Sequence, residues 1–405
     1  MSFVKKSIKE FALGIYDGPH ATPKDSNDGH IFLGIKNVTS DGRLNFSEIK
    51  YVSDEEFPRW IKRVTPQQGD VVFSYEATLH RYALIPEGFD GCLGRRMALI
   101  RPNPKKLLSR FLHYYFLAPE WRAYVETKVI IGATVNRLPI KDLPNFEVAI
   151  PSIDHQQKVV NILSAYDDLI ENNYRRIQLL EDSARLLYQE WFVYLRFPGH
   201  EHVKIVDGVP EDWAKLTIEE VAYTIGGGTP STKIPEYWDG GDLMWFSPTD
   251  LTKNDCLVLL DSAKKITESG LNKSSAKLLP PKTILMTSRA SIGYFGIFDG
   301  FATTNQGFIS LIPKKEYLRW YLLFNLRQRV GEIIGLAGGS TFKEINKTTF
   351  RAMPIIVPAE GLVEQFHDFF DGIYKQIRVI KKQTEKLAQA RDILLPRLMN
   401  GTIAV

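Results

Sequence analysis

Two stretches of the chain repeat apolar residues at alternating spacings of three and four. The first runs through Leu163, Tyr166, Ile170, Asn173, Ile177, Leu180, Ala184, Leu187 and Trp191; the second runs through Phe370, Ile373, Ile377, Ile380, Thr384, Leu387, Arg391, Leu394 and Leu398. This is the heptad spacing of two long helices, each burying one narrow seam. The second seam repeats the first at a constant offset of 207 residues, as from Leu163 to Phe370. Upstream the same offset pairs Thr134 with Thr341, Leu138 with Ile345, Val148 with Ile355 and Pro151 with Pro358. Each proline closes a short apolar stretch, EVAIP or PIIVP, which reads as a strand stopped before a helix begins.

Each seam has a polar interruption where the other copy is apolar: Asn173 aligns with Ile380, and Thr384 with Ile177. Such seams favour an unlike partner. Charge agrees, since residues 167–190 hold six acids and three bases while 375–397 hold two acids and seven bases. The two helices are therefore expected to pair with each other, with ion pairs between them. The first is expected from about Ser152, an N-cap after Pro151, to about Arg196, before Phe197-Pro198-Gly199. A helix leaving the second globule must turn back to use its seam, which predicts an antiparallel pair and an approximate twofold axis.

The globules before the helices are weaker copies of each other. Val71-Val72-Phe73-Ser74-Tyr75 resembles Ile284-Leu285-Met286-Thr287-Ser288, an apolar strand entering a polar turn. Met97-Ala98-Leu99-Ile100-Arg101-Pro102 resembles Phe308-Ile309-Ser310-Leu311-Ile312-Pro313, and a helical pattern follows each. The expected class is mixed α/β (α+β): two similar globules separated by two long antiparallel coiled-coil helices. The boundaries fall at 1–151, 152–197, 198–357 and 358–405. Strands preserved beneath changing turns suit a recognition module, because specificity resides on loops carried by rigid elements.

Composition narrows the class. With 44% hydrophobic and 24% charged residues in 405, the chain is globular rather than disordered or fibrous. Two cysteines far apart, Cys92 and Cys256, make neither a disulfide framework nor a cysteine zinc site, and a reducing cytoplasm is expected. No run of about 18 apolar residues suggests a membrane span. The net charge of +4 permits a polyanionic partner, and residues 1–151 hold 21 bases against 17 acids.

Catalytic patterns are poor. There is no GxxxxGK[ST], no HExxH and no Asp/Asn-Pro-Pro-aromatic segment. Asp41, Glu48 and Lys50 loosely imitate a metal-dependent nuclease set, and His200-Glu201-His202 could offer two imidazoles to a metal from within a Pro-Gly linker. Such short strings arise often by chance, and the linker triplet has no further histidine or cysteine nearby.

At the helix openings the residues resemble a known family, the DNA-specificity subunits of type I restriction-modification systems. Pro151-Ser152-Ile153-Asp154-His155-Gln156-Gln157 resembles the opening of its central conserved helix, and Leu394-Leu395-Pro396-Arg397-Leu398-Met399-Asn400-Gly401 its C-terminal signature. Gly227-Gly228-Thr229-Pro230-Ser231, with Tyr237-Trp238, Gly241, Trp245 and Asp250, resembles the family's domain opening. Asp17-Gly18-Pro19-His20-Ala21-Thr22-Pro23 keeps only Gly, Thr and Pro of it, and His155 stands where an acid is common.

The resemblance implies a non-catalytic subunit with two target recognition domains, each reading half of a split sequence in double-stranded DNA. It implies docking on two adenine methyltransferase subunits, with restriction subunits joining through them. S-adenosylmethionine would belong to the methyltransferase, and ATP and magnesium to the restriction subunit; this chain would bind no cofactor. By chemistry, Arg81, Arg95, Arg96 and Arg289 suit guanine and Asn305 and Gln306 suit adenine, while Ser74, Tyr75, Lys282, Thr287 and Ser288 suit phosphate. Two other readings remain at this point: a two-headed coiled-coil adaptor or repressor acting without a methyltransferase, and a nuclease built on Glu48.

Overall fold

The computed structural model describes residues 3–132, 135–339, 343–403 and 405. The Thr134–Thr341 correspondence lies outside the described residues. The chain divides into two compact units: Met1–Leu169 with Leu387–Val405, and Ile170–Lys386.

The first unit is built on an antiparallel four-stranded sheet in the order Ala12–Asp17, Met97–Pro102, Val71–Ser74, Tyr82–Leu84. Val71–Ser74 is buried along its whole length, which is why it reads as an unbroken apolar run rather than an alternating one. Beside it lies a mixed three-stranded sheet, Lys50–Val52, His30–Leu33 and Gly91–Leu93, whose last pair is parallel. Val4–Ser7 pairs antiparallel with Glu147–Ile150, the strand that leads into the first long helix.

The second unit repeats this plan. Its larger sheet runs Ala222–Gly226, Phe308–Pro313, Ile284–Thr287, Phe295–Phe298, with Val258–Leu259 added at the edge. Its three-stranded sheet again has one antiparallel and one parallel pair, Leu243–Phe246 with Lys264–Ile266 and with Ala302–Thr304. Ala214–Thr217 pairs with Pro354–Val357 just before the second long helix. One topology is thus written twice in the chain.

The long helices span Ile153–Tyr188 and Glu360–Met399. Ser152 begins the first as expected: its Oγ accepts from His155 N–H at 3.4 Å and its carbonyl from Gln156 N–H at 2.9 Å. The α-helix stops at Tyr188 and a π-helical turn, Gln189–Val193, follows; the ladder widens by one residue where Phe192 packs into the aromatic core. No helix among the described residues is long and apolar enough to cross a membrane.

In both units the long helices pack antiparallel. In the first, Asp167 meets Arg391 at 2.8 Å, and Leu163, Leu395 and Leu398 share one core with the partly buried Leu394. In the second, Tyr188 and Phe192 lie against Phe366, while Ile177, Phe370, Ile373, Ile377 and Ile380 are buried together with Leu180 and Leu187 packed on them. Ile170 is buried, and Tyr166 and Leu387 are half-buried. The polar seam positions Asn173, Thr384 and Arg391 are buried too, and Thr384 Oγ1 satisfies itself on Ile380 O at 2.8 Å.

The expected ion pairing between the helices is largely replaced by pairing of helix to globule. Arg378 reaches Asp299 at 2.7 Å, Lys282 reaches Asp371 at 2.9 Å, and Lys381 donates to Val258 O at 2.6 Å. Basic residues on the flanks of the second helix face the loops of its own domain, so their charge is used there; among the described residues Arg391–Asp167 is an ion pair between the helices.

Candidate nucleic-acid interface

At one edge of each large sheet a hairpin loop leaves a buried strand and is closed by a hydroxyl. In the first unit Ser74 Oγ donates to Thr78 O and accepts from Arg81 N–H at 3.3 Å. In the second Thr287 Oγ1 donates to Ser291 O and accepts from Tyr294 N–H at 2.9 Å. Ala77 and Ala290 occupy matching places in these loops with φ of 68° and 60°. Left-handed alanine is uncommon and persists where the surroundings over-determine it, a condition concentrated at functional sites.

Two further segments join each loop. Tyr75 N–H donates to Arg96 O at 3.1 Å and Ser288 N–H to Gly307 O at 2.8 Å, which attaches the turns 94–96 and 305–307. The domain openings meet these turns closely: a Cβ on Gly18 would lie 2.6 Å from Gly94 O, and one on Gly227 2.1 Å from Asn305 O. Only glycine allows this approach, which explains why both openings keep a glycine. Trp245 Nε1 donates to Gly228 O at 3.0 Å and Trp238 Nε1 to Ser231 O at 3.1 Å, so these tryptophans hold the opening in place.

The candidate contact residues fall into two groups. Arg95, Arg289 and Gln306 are exposed, and Arg81, Arg96 and Asn305 are half-exposed on the loops. Arg96 pairs with Glu76 at 3.3 Å and Arg289 with Glu344 at 3.7 Å; Gln306 Oε1 accepts from Thr229 Oγ1 at 2.7 Å, and Asn305 Oδ1 from Gly307 N–H at 2.9 Å. Ser74, Tyr75, Thr287 and Ser288 are buried, however. The hydroxyls of Ser74 and Thr287 build the loop instead of facing outward. Tyr75 Oη lies 3.4 Å from His20 Nε2, and burial, aided by Asp17 and Glu76, pushes its hydroxyl up to about 12, so it stays protonated at neutral pH. The Lys282 ammonium is engaged by Asp371 on the second long helix, at the opposite end of strand Ile284–Thr287 from the hairpin loop.

Sequence reasoning missed Arg137. It is exposed, and an isolated antiparallel bridge sets it opposite Glu76. The signal was the 207-residue offset, which pairs position 137 with Glu344. The nuclease-like trio is not brought together as one set of ligands: Asp41 accepts from Arg43 Nε at 2.8 Å, Glu48 lies 3.9 Å from Lys36, and Lys50 lies 3.4 Å from Asp25. Among the described residues no group of His, Cys, Asp or Glu is arranged to hold a metal, and His200 Nδ1 lies 2.8 Å from Phe197 O.

Comparison with known proteins places these features in context. A family model described as the type I restriction modification DNA specificity domain matches residues 27–182 and again 210–389. The chain is 36% identical over 185 residues to the Type I restriction enzyme MjaIX specificity subunit of Methanocaldococcus jannaschii, a match covering 43% of this chain and 42% of that protein. It is 24% identical over 466 aligned positions to the Type I restriction enzyme HindI specificity subunit of Haemophilus influenzae, covering 98% of this chain and 99% of that one. In fold it resembles the crystal structure of a type I restriction-modification S subunit from M. genitalium, with a TM-score of 0.55 at 16% identity over 98% of this chain and 96% of that one.

Proposed function

Because the chain belongs to the type I restriction modification DNA specificity family, we propose that it is a cytoplasmic subunit reading a bipartite double-stranded DNA target, one half with each recognition domain. The family assignment makes it a non-catalytic specificity subunit that binds a DNA target. The reading of two halves rests on one observation: the same loop framework occurs twice, carrying Arg81, Arg95 and Arg96 in the first unit and Arg289, Asn305 and Gln306 in the second. The recognition domains would occupy 1–151 and 198–357, and the conserved helices 152–197 and 358–405. Buried Ser74, Tyr75, Thr287 and Ser288 would shape the loops that make contact.

Two adenine methyltransferase subunits would dock on the long helices and bring S-adenosylmethionine; restriction subunits, with ATP and magnesium, would join through them. Apolar side chains left exposed on the helices suit such a dock: Leu169 and Ile393 in the first unit, Leu179, Leu186 and Val379 in the second. Co-expression with a methyltransferase of the same system, followed by mapping of modified adenines, tests the assignment. A split motif with a constant gap is expected. Tight sequence-specific DNA binding by the chain alone, with no methyltransferase bound, would favour a repressor instead.

A further inference from the structure

A second segment clasps the hairpin loop of each unit. In the first, Ala77 N–H donates to Asn136 O at 3.0 Å and Leu138 N–H to Tyr75 O at 2.7 Å, with Glu76 bridged to Arg137 between them. In the second, Ala290 N–H donates to Lys343 O at 2.9 Å and Ile345 N–H to Ser288 O at 3.0 Å, with Arg289 bridged to Glu344. The backbone is the same and the charges are exchanged. The carboxylate stands on the hairpin loop in the first unit and on the clasping segment in the second.

The arginine of each clasp is exposed. Arg137 has no ion pair among the described residues, because the nearby Glu76 carboxylate faces Arg96 at 3.3 Å. Arg289 lies 3.7 Å from Glu344, with both side chains about half exposed. An exposed pair at that distance contributes little, so its guanidinium can leave for a better acceptor. Arg289 precedes the left-handed Ala290, and Arg137 follows Asn136, whose carbonyl accepts from the left-handed Ala77, so each fork projects from a defined backbone rather than a slack loop.

We propose that Arg137 and Arg289 are equivalent specificity-determining residues, each presenting its guanidinium fork to a base edge in its own half of the DNA target. This rests on the DNA-reading function proposed above. The exchange places the cation on opposite strands of the same clasp, so the two units address their half-sites differently while sharing one scaffold. A fork pairs bidentately with guanine O6 and N7, whereas an ammonium supplies charge without that match. Arg→Lys therefore separates base reading from phosphate attraction.

The test uses the full chain in complex with its methyltransferase, acting on a plasmid library randomised across the target, with methylated adenines mapped. Arg137→Lys is expected to relax discrimination at a base position in one half by about 5- to 150-fold. Arg289→Lys should do the same in the other half, and Glu344→Gln should leave discrimination unchanged, because the pair it makes with Arg289 is weak. Complex assembly and thermal unfolding should match the wild type in all three. If both lysine variants assemble and keep the wild-type motif, the proposal is wrong. Uniform loss at every position, or both variants acting on the same half, overturns it as well. A wild-type complex that methylates without any split motif would overturn the underlying function, and this proposal with it.

Discussion

In the first unit Tyr114 donates to Asp167, which in turn holds Arg391 at 2.8 Å. At the matching place in the second unit Trp320 packs on Tyr374, ring centres 5.0 Å apart. The contrast extends along the helices. Gln156, fully buried, binds Leu108 N–H, Lys106 O and Pro151 O, where the second helix has Val363; Val159 corresponds to Phe366. One unit fixes its helix base with a satisfied polar relay and the other with an aromatic cluster. Either filler serves, provided volume is matched. The same division appears at the reading edge, where the first unit is rich in arginine and the second mixes arginine with amides.

Four substitutions sharpen this contrast. Phe366→Ala should cost about 3–5 kcal/mol, because Phe366 sits among Tyr188, Trp191, Phe192 and Phe324 with no exposed surface. Val159→Ala, its counterpart, should cost about 1–2 kcal/mol; urea unfolding midpoints would compare the two, and equal losses would break the contrast. Arg391→Ala should cost about 2 kcal/mol, less than a fully buried pair because Asp167 is partly solvated. Arg391→Met should recover much of that loss, since the seam around it is apolar.

His113 gives the first unit a pH signature larger than that of His367 in the second, which burial also shifts down. Burial lowers the His113 pKa to about 4, so it is neutral in the folded chain, whereas the unfolded chain takes up a proton near 6.5. Its contribution is complete above about pH 6.5 and is lost as pH falls towards 4. Thermal melts should therefore lose on the order of 1–2 kcal/mol of stability between pH 7 and pH 5, and His113→Gln should remove that part of the slope. The smallest effect concerns salt. Arg95→Ala should reduce the slope of log affinity against log salt by about one, while Gln306→Ala should leave the slope unchanged; DNA titrations at several salt concentrations would separate them.

The two long helices and the repeat were legible because heptad spacing survives any change of filler; Leu163 and Phe370 occupy one seam position with different side chains. The strands 71–74 and 97–102 were legible as apolar runs. The three-stranded sheets were not. His30–Leu33 and Gly91–Leu93 are short, lie far apart in sequence and pair in parallel, so no local period announces them. At the reading edge polarity misled: Ser74 and Thr287 look like surface hydroxyls, yet they are consumed inside their own loops. Arg137 carries no local motif, and backbone bridges to Glu76 and Ile130 bring it to the site.

The central claim is that two copies of one scaffold read DNA independently through different loop chemistry. It is tested most directly by exchanging residues 1–151 for those of another family member and mapping methylated adenines in the assembled complex. The account predicts a new sequence in one half of the motif, with the other half and the gap unchanged. A change in both halves, or in neither, would contradict it.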